Sequence, residues 1–208
     1  MKPETKKRKE REKEAKYIAI LDAAEAVIQE ESLDAMSINK VARKAKIAKG
    51  TVYIYFESKE EIIGGLTVRA RQTLLEYFKK RCEKETDPVE KIKCIFWADY
   101  YFFKEQHTYH ELITFYEQNT GLQDSPELTK AAMAIGTFVK DVIENAKAKK
   151  LIRQDIDSGL HGFMFWGMAV GILQIVETKK HQLSKNFKKT EKEFYKYFVE
   201  NTVESLRI

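Results

Sequence analysis

Residues 37–59 read SINKVARKAKIAKGTVYIYFESK, and the rest of the chain is best read outward from them. Ser37 is a good cap for a short helix that buries Ile38, Val41 and Ala42. A tight turn follows, and a second short helix covers about residues 49–55. From residue 36 to residue 56 the charged groups are Lys40, Arg43, Lys44, Lys46 and Lys49, with no Asp or Glu. Thr51, Tyr53 and Tyr55 add hydroxyls at a short, fixed reach. Donors and positive charge on a compact helix-turn-helix are what recognition of duplex DNA requires.

On either side, apolar residues recur every three or four positions and no useful run alternates with period two, which predicts an all-α chain of nine helices. Its 208 residues are 43% hydrophobic, with three prolines and nine glycines. Helix 1 is expected over about residues 12–30, with Tyr17, Leu21, Ala24 and Ile28 as its apolar stripe, widened by Ile20 and Val27. Ile47, Val52 and Phe56 are expected in the core; Ile54 turns away from them. Later helix starts are marked by Ser58 with Glu61, Asp87-Pro88-Val89-Glu90, Thr108 with Glu111, Ser125-Pro126, Asp155 or Asp157, and Thr190 with Glu193. No internal repeat is visible.

The character changes near residues 57–63. A basic unit over 1–57 gives way to a larger, aromatic-rich helical body over 58–208. The Gly64-Gly65 pair in the connecting helix reads either as close packing against helix 1 or as a soft point. The net charge is +5. Lysines and arginines crowd the first sixteen residues, as a solvated arm or as one lying along phosphates. Cys82 and Cys94, placed on different helices, fit a reducing compartment; inert thiols are the expected reading and a redox switch the alternative. The run 18–21 is too short for a signal peptide, so a cytoplasmic location is expected.

ILDAAEAVI, followed by LDAMSINKVARKAKIAKGTVYIYFESKEEI, resembles the N-terminal DNA-binding region of the TetR family of bacterial transcriptional regulators over about residues 20–62. The KGT-hydrophobic-Tyr-x-Tyr-Phe-x-x-Lys core is its most specific element; the remainder matches only in helix count and spacing. The resemblance implies that Ser37 and Asn39 touch phosphates and that Lys49, Gly50 and Thr51 enter the major groove. It implies that Tyr53 and Tyr55 grip phosphates or bases, and that Lys59 meets a phosphate at the start of the fourth helix. The residue chemistry agrees. Gly50 lets backbone approach DNA, and the Thr51 methyl suits thymine. Three positions depart from the pattern. Lys46 stands where the family often has a turn glycine, Ala48 where a Ser or Thr often caps the third helix, and Ser32 where glycine often follows helix 1.

The fifth helix, which starts at Asp87-Pro88, is apolar nearly all round and should be central. The resemblance implies an effector site in this body, and Trp97, Tyr100, Tyr101, Phe115, Tyr116, Met133, Phe163 and Trp166 are its candidate walls. The occupant would be a small aromatic or acyl-type molecule; the alternative is a closed pocket. His107, His110 and Glu111 form a weak metal motif, better read as a solvated or core-edge pair, so no metal and no cofactor are expected. Residues 160–176 are the most apolar stretch. They fall short of the roughly 20 needed to span a bilayer and are interrupted by His161 and Gln174, so no membrane partner is expected. Gly167 and Gly171, with Phe194, Phe198 and Thr202 of the last helix, are the candidate dimer interface, a four-helix bundle about a two-fold axis.

The expected protein is a homodimeric repressor that leaves a palindromic double-stranded DNA operator when a small hydrophobic or aromatic effector binds. No glycine loop follows a strand, and KGT is not the order of a phosphate-binding GKT motif, so an enzyme is not expected. The alternative is a basic helical interaction module without operator specificity.

Overall fold

In the computed structural model, which describes residues 3–119 and 125–207, ten helices follow one another: α1 Pro3–Glu30, α2 Ile38–Lys44, α3 Lys49–Tyr53, α4 Lys59–Arg81, α5 Pro88–Glu105, α6 His107–Gln118, α7 Pro126–Ala148, α8 Ser158–Thr178, α9 Lys180–Phe187 and α10 Glu191–Glu204. There is no strand among the described residues. The all-α expectation holds, with one helix more than nine. The addition is α9, where only Leu183 is buried. Its apolar stripe is too thin to register as periodicity, and the left-handed Lys188 (φ 54°) ends it.

Most helix starts follow from their caps. The Asp87 carboxylate accepts from the backbone N–H groups of Val89 and Glu90 at 2.8 and 3.0 Å. Ser125 Oγ accepts from Leu128 N–H, and Asp157 accepts from Leu160 N–H. Thr190 and Glu193 complete a reciprocal capping box. Each such cap satisfies donors the helix itself leaves open. Two expectations need correction. α6 begins at His107, ahead of the Thr108 expected to cap it. At α4, Ser58 Oγ caps Glu61 N–H, but the Glu61 carboxylate reaches back to Glu57 N–H.

α1 also starts earlier than residue 12. Its first turns are rich in Lys, Arg and Glu, all good helix formers, and Arg8 pairs with Glu12 one turn on at 2.8 Å. From Lys7 to Lys16 these side chains are exposed, so the arm is solvated yet helical.

The described residues gather into two units, one from Met1–Ala70 with Glu111–Leu128, the other from Arg71–His110 with Thr129–Ile208. The division expected at residue 57 falls inside the first. There, α1 packs on α2 and α2 on α3. Ile20, Ala24, Val27, Ile28, Val41, Val52 and Phe56 make a common core, each at most 4% exposed. Tyr17 stacks on Phe56 with ring centroids 4.8 Å apart. Arg69 of α4 pairs with Asp22 and Glu25 of α1. A Cβ on Gly65 would meet Tyr17 Oη at 3.0 Å and a Leu21 methyl at 3.1 Å. That glycine is there for close approach of α4 to α1.

In the second unit α5, α8 and α10 pack together. Phe96 of α5 meets Phe165 of α8 and Phe198 of α10 at 5.2 and 5.3 Å. The fully buried Tyr195 donates its hydroxyl proton to the Phe96 carbonyl at 2.8 Å. α5 is central, as its all-round apolarity predicts.

Candidate nucleic-acid interface

The α2–turn–α3 segment is rigid for reasons that can be named. Ser37 is extended (φ −145°, ψ 154°) and its Oγ accepts from Lys40 N–H at 3.4 Å. After α2, Lys46 takes a left-handed conformation (φ 56°). Ile47 N–H then bonds Ala42 carbonyl, and Lys46 N–H bonds Arg43 carbonyl, at 3.0 and 3.2 Å. This is a Schellman ending with lysine in the glycine position. Ala48 is the N-cap of α3 and supplies no side-chain bond. Both departures therefore have the cost expected of them. Ser32 does not: its φ is not positive, and its Oγ accepts from Ala35 N–H at 3.1 Å.

Val52 is fully buried and Ile47 half-buried, while the opposite side of α3 is open. A Cβ built on Gly50 would have nothing within 4 Å. Lys49 and Gly50 are exposed and Thr51 is half-buried. Tyr53 is 47% exposed, and the Lys49 ammonium lies 5.7 Å from its ring centroid. Asn39 is exposed at the start of α2. Tyr55 is half-buried and, with Ile54, Tyr17 and the Glu10, Lys13 and Glu14 side chains of α1, lines a hollow of about 420 Å³.

The charges do not all act as the sequence implies. Lys40 bonds Glu31 and the Ala35 carbonyl, and Lys44 pairs with Glu30. The stretch is free of acids along the chain, but α1 supplies two from its last turn. Arg43, Lys46 and Lys49 face no carboxylate among the described residues, so they carry the net positive potential. Lys59 is half-buried, and its ammonium donates to the carbonyls of Leu33 and Asp34 at 3.3 and 3.2 Å. It ties α4 to the turn between α1 and α2.

Three of the expected effector-site residues come together on α5. Trp97, Tyr100 and Tyr101 of α5 form a ring cluster with Tyr195 of α10, where Trp97 and Tyr100 lie 5.4 and 4.8 Å from Tyr195. Phe115 and Tyr116 belong to the first unit. Met133, Phe163 and Trp166 are 65%, 69% and 40% exposed. Asp99 lies on α5 among buried Ile92, Ile95, Phe96, Phe102 and Phe103, yet keeps some accessible surface. Its carboxyl has no hydrogen-bond or ionic partner among the described residues, and burial pushes its pKa up to about 7. His110 packs on the Phe103 ring at 4.9 Å, and burial pushes its pKa down to about 4. His107 pairs with Glu177 at 3.0 Å, and no group of three potential metal ligands occurs among the described residues.

Among the expected dimer residues, Gly167 and Gly171 are exposed, with open space where a Cβ would stand. They share one stripe of α8 with the exposed Leu160, Phe163, Met164 and Ile175. Phe194, Phe198 and Thr202 are half-buried, and Phe198 packs inward on Phe96. α8 is long and apolar enough to cross a membrane. Its inner residues Phe165, Ala169, Leu173 and Val176 are buried within the unit, and a core helix passes the same test.

Residues 20–66 match the family described as bacterial regulatory proteins, tetR family. Over that segment, which holds α2, α3 and the start of α4, the chain is similar to the TetR family. A fatty acid metabolism regulator protein of Bacillus subtilis is 31% identical over 85 residues, 41% of this chain and 44% of the relative. The transcriptional repressor KstR2 of Mycolicibacterium smegmatis is 22% identical over 145 residues, 68% and 69% of the two chains. The match thus spans less than half of the first curated relative's length. Among solved structures, the fatty acid degradation regulator FadR of Bacillus halodurans superposes with a TM-score of 0.66 at 21% identity, covering 90% of this chain and 94% of that one. AibR in complex with isovaleryl coenzyme A and operator DNA gives 0.62 at 19% identity, covering 88% and 95%. These structures therefore share their fold with this chain across residues of both units.

Proposed function

We propose that this chain is a TetR-family, sequence-specific DNA-binding repressor, with α3 as its reader. The observation that carries the reading is the open face of α3. Gly50 has no neighbour within 4 Å of a Cβ position, and Lys49, Thr51 and Tyr53 stand around it with accessible polar groups. A short helix seated on a rigid α1–α2 platform can enter a major groove backbone-first at Gly50. Ser37 and Asn39 flank it at the start of α2, placed for phosphates, and Tyr55 lies beside it. Lys59 contributes by holding the platform to α4, with its third ammonium proton left for a phosphate.

The working form is a cytoplasmic homodimer. The exposed apolar stripe of α8 supports this, because a contiguous apolar patch of that kind needs a cover. Gly167 and Gly171 let a second helix approach closely. Phe163 and Trp166, exposed on α8, fit this face better than a pocket wall; Phe194, Phe198 and Thr202 support it from α10. Two-fold symmetry then requires an inverted-repeat operator with half-sites about a helical turn apart.

A small hydrophobic effector binds in the second unit and opposes DNA. Relatives named as regulators of fatty acid metabolism and a neighbour solved with isovaleryl coenzyme A support this. No catalytic step is assigned to the chain. Genomic fragments retained by the immobilised protein test the reading. They should share an inverted repeat, and retention should fall steeply with salt. Indifferent retention of all fragments would favour a basic helical interaction module instead.

A further inference from the structure

Cys82 directly follows α4, and Cys94 lies on α5 after a short turn. Though on different helices, they meet. The Cys94 thiol donates to the carbonyl of Arg81, the residue before Cys82, at 3.4 Å, which sets Cys94 beside Cys82. Both are free thiols; Cys82 is fully buried and Cys94 half-buried. A buried thiol beside a reachable one is the arrangement of a resolving and a reacting cysteine.

We propose that Cys82 and Cys94 are a reversible oxidation site, closed by peroxide to an intramolecular disulfide that staples the end of α4 to α5. Cys94 is the sulfur that peroxide can reach. The Cys82 thiol holds the Cys94 pKa below the usual thiol range, aided by Lys91 and Arg81 and opposed by burial and by Glu85. The same pairing, with burial, pushes the Cys82 thiol up, so Cys82 keeps its proton and waits.

The chemistry balances. Cys94 thiolate attacks one peroxide oxygen, the O–O bond breaks, and the departing hydroxide takes up the proton Cys94 released. Cys94 is now a sulfenic acid. Cys82 sulfur attacks Cys94 sulfur, the S–O bond breaks, the S–S bond forms, and the Cys82 proton leaves with the hydroxyl as water. Two thiols are oxidised and one peroxide is reduced to two waters. The linked helix, α4, starts in the first unit at Lys59 and ends in the second at Arg81.

The test is independent of DNA binding. The full-length protein is treated with equimolar hydrogen peroxide, alkylated, digested without reduction and examined by mass spectrometry. The expected product is a Cys82–Cys94 cross-linked peptide that disappears with dithiothreitol and never forms in Cys94→Ser. Recovery of both cysteines alkylated, of Cys94 as sulfinic acid without the link, or of links only between chains would overturn the proposal.

Discussion

Lys46 occupies a left-handed turn at φ 56° that glycine enters without steric cost. Lys46→Gly should therefore raise unfolding free energy by about 1 kcal/mol, read as a higher denaturant midpoint with an unchanged slope. Ala48→Ser should add about 1 kcal/mol through the missing cap. Asp99 gives the opposite kind of prediction. Its folded pKa is raised to about 7 from an ordinary carboxyl value by burial on α5, and the Tyr195 phenol of α10 feels its charge. The folded state thus keeps a proton that the unfolded chain has lost. The resulting contribution is complete below about pH 4 and vanishes as pH rises through 7. Asp99→Asn should match the wild type near pH 4 and exceed its stability by roughly 1 kcal/mol or more at pH 8. Equal stability at both pH values would show that Asp99 is solvated.

At the scale of helices, the reader separates recognition from support. Tyr53 is exposed and its hydroxyl has no partner among the described residues, whereas Lys59 bonds two carbonyls. Tyr53→Phe should cost about 1 kcal/mol of operator affinity with no change in melting temperature. Lys59→Ala should lower the melting temperature, and thermal scans beside anisotropy titrations distinguish the two. The same contrast explains what the sequence reveals. Caps at Asp87, Ser125, Asp157 and Thr190 are legible because donor and acceptor lie within three residues. So are Lys46 and Ala48, because turn chemistry is local. The pairing of Lys40 and Lys44 with Glu31 and Glu30 is not, since α2 must first fold back on α1. The sequence leaves the ring cluster of Trp97, Tyr100 and Tyr101 ambiguous for a related reason. A helix apolar all round has no stripe to say which rings face a neighbour and which face a cavity. Asp99 and the Cys82–Cys94 contact depend likewise on helix packing, which periodicity does not encode.

At the scale of the whole molecule, the proposed operator binding calls for two copies. The α8 stripe from Leu160 to Ile175 is exposed, and Gly167 and Gly171 have open space around them. A lysine at Gly171 fits the isolated fold but puts a charge where a second helix must lie. Gly171→Lys should sediment as a folded monomer while the wild type sediments as a dimer, and the monomer should lose most of its operator affinity because each half-site is then bound alone. A wild-type monomer would remove the need for an inverted repeat.

The central claim is that α3 presents an open edge to a DNA groove, and Gly50 measures it directly. A leucine there meets no atom of the protein within 4 Å of its Cβ, so Gly50→Leu should fold with equal or slightly greater stability. Inside a major groove the same side chain would collide with the duplex. Anisotropy titration against an enriched operator fragment should show Gly50→Leu binding at least a hundredfold more weakly than wild type, with an unchanged melting curve. Wild-type affinity in that variant would contradict the account.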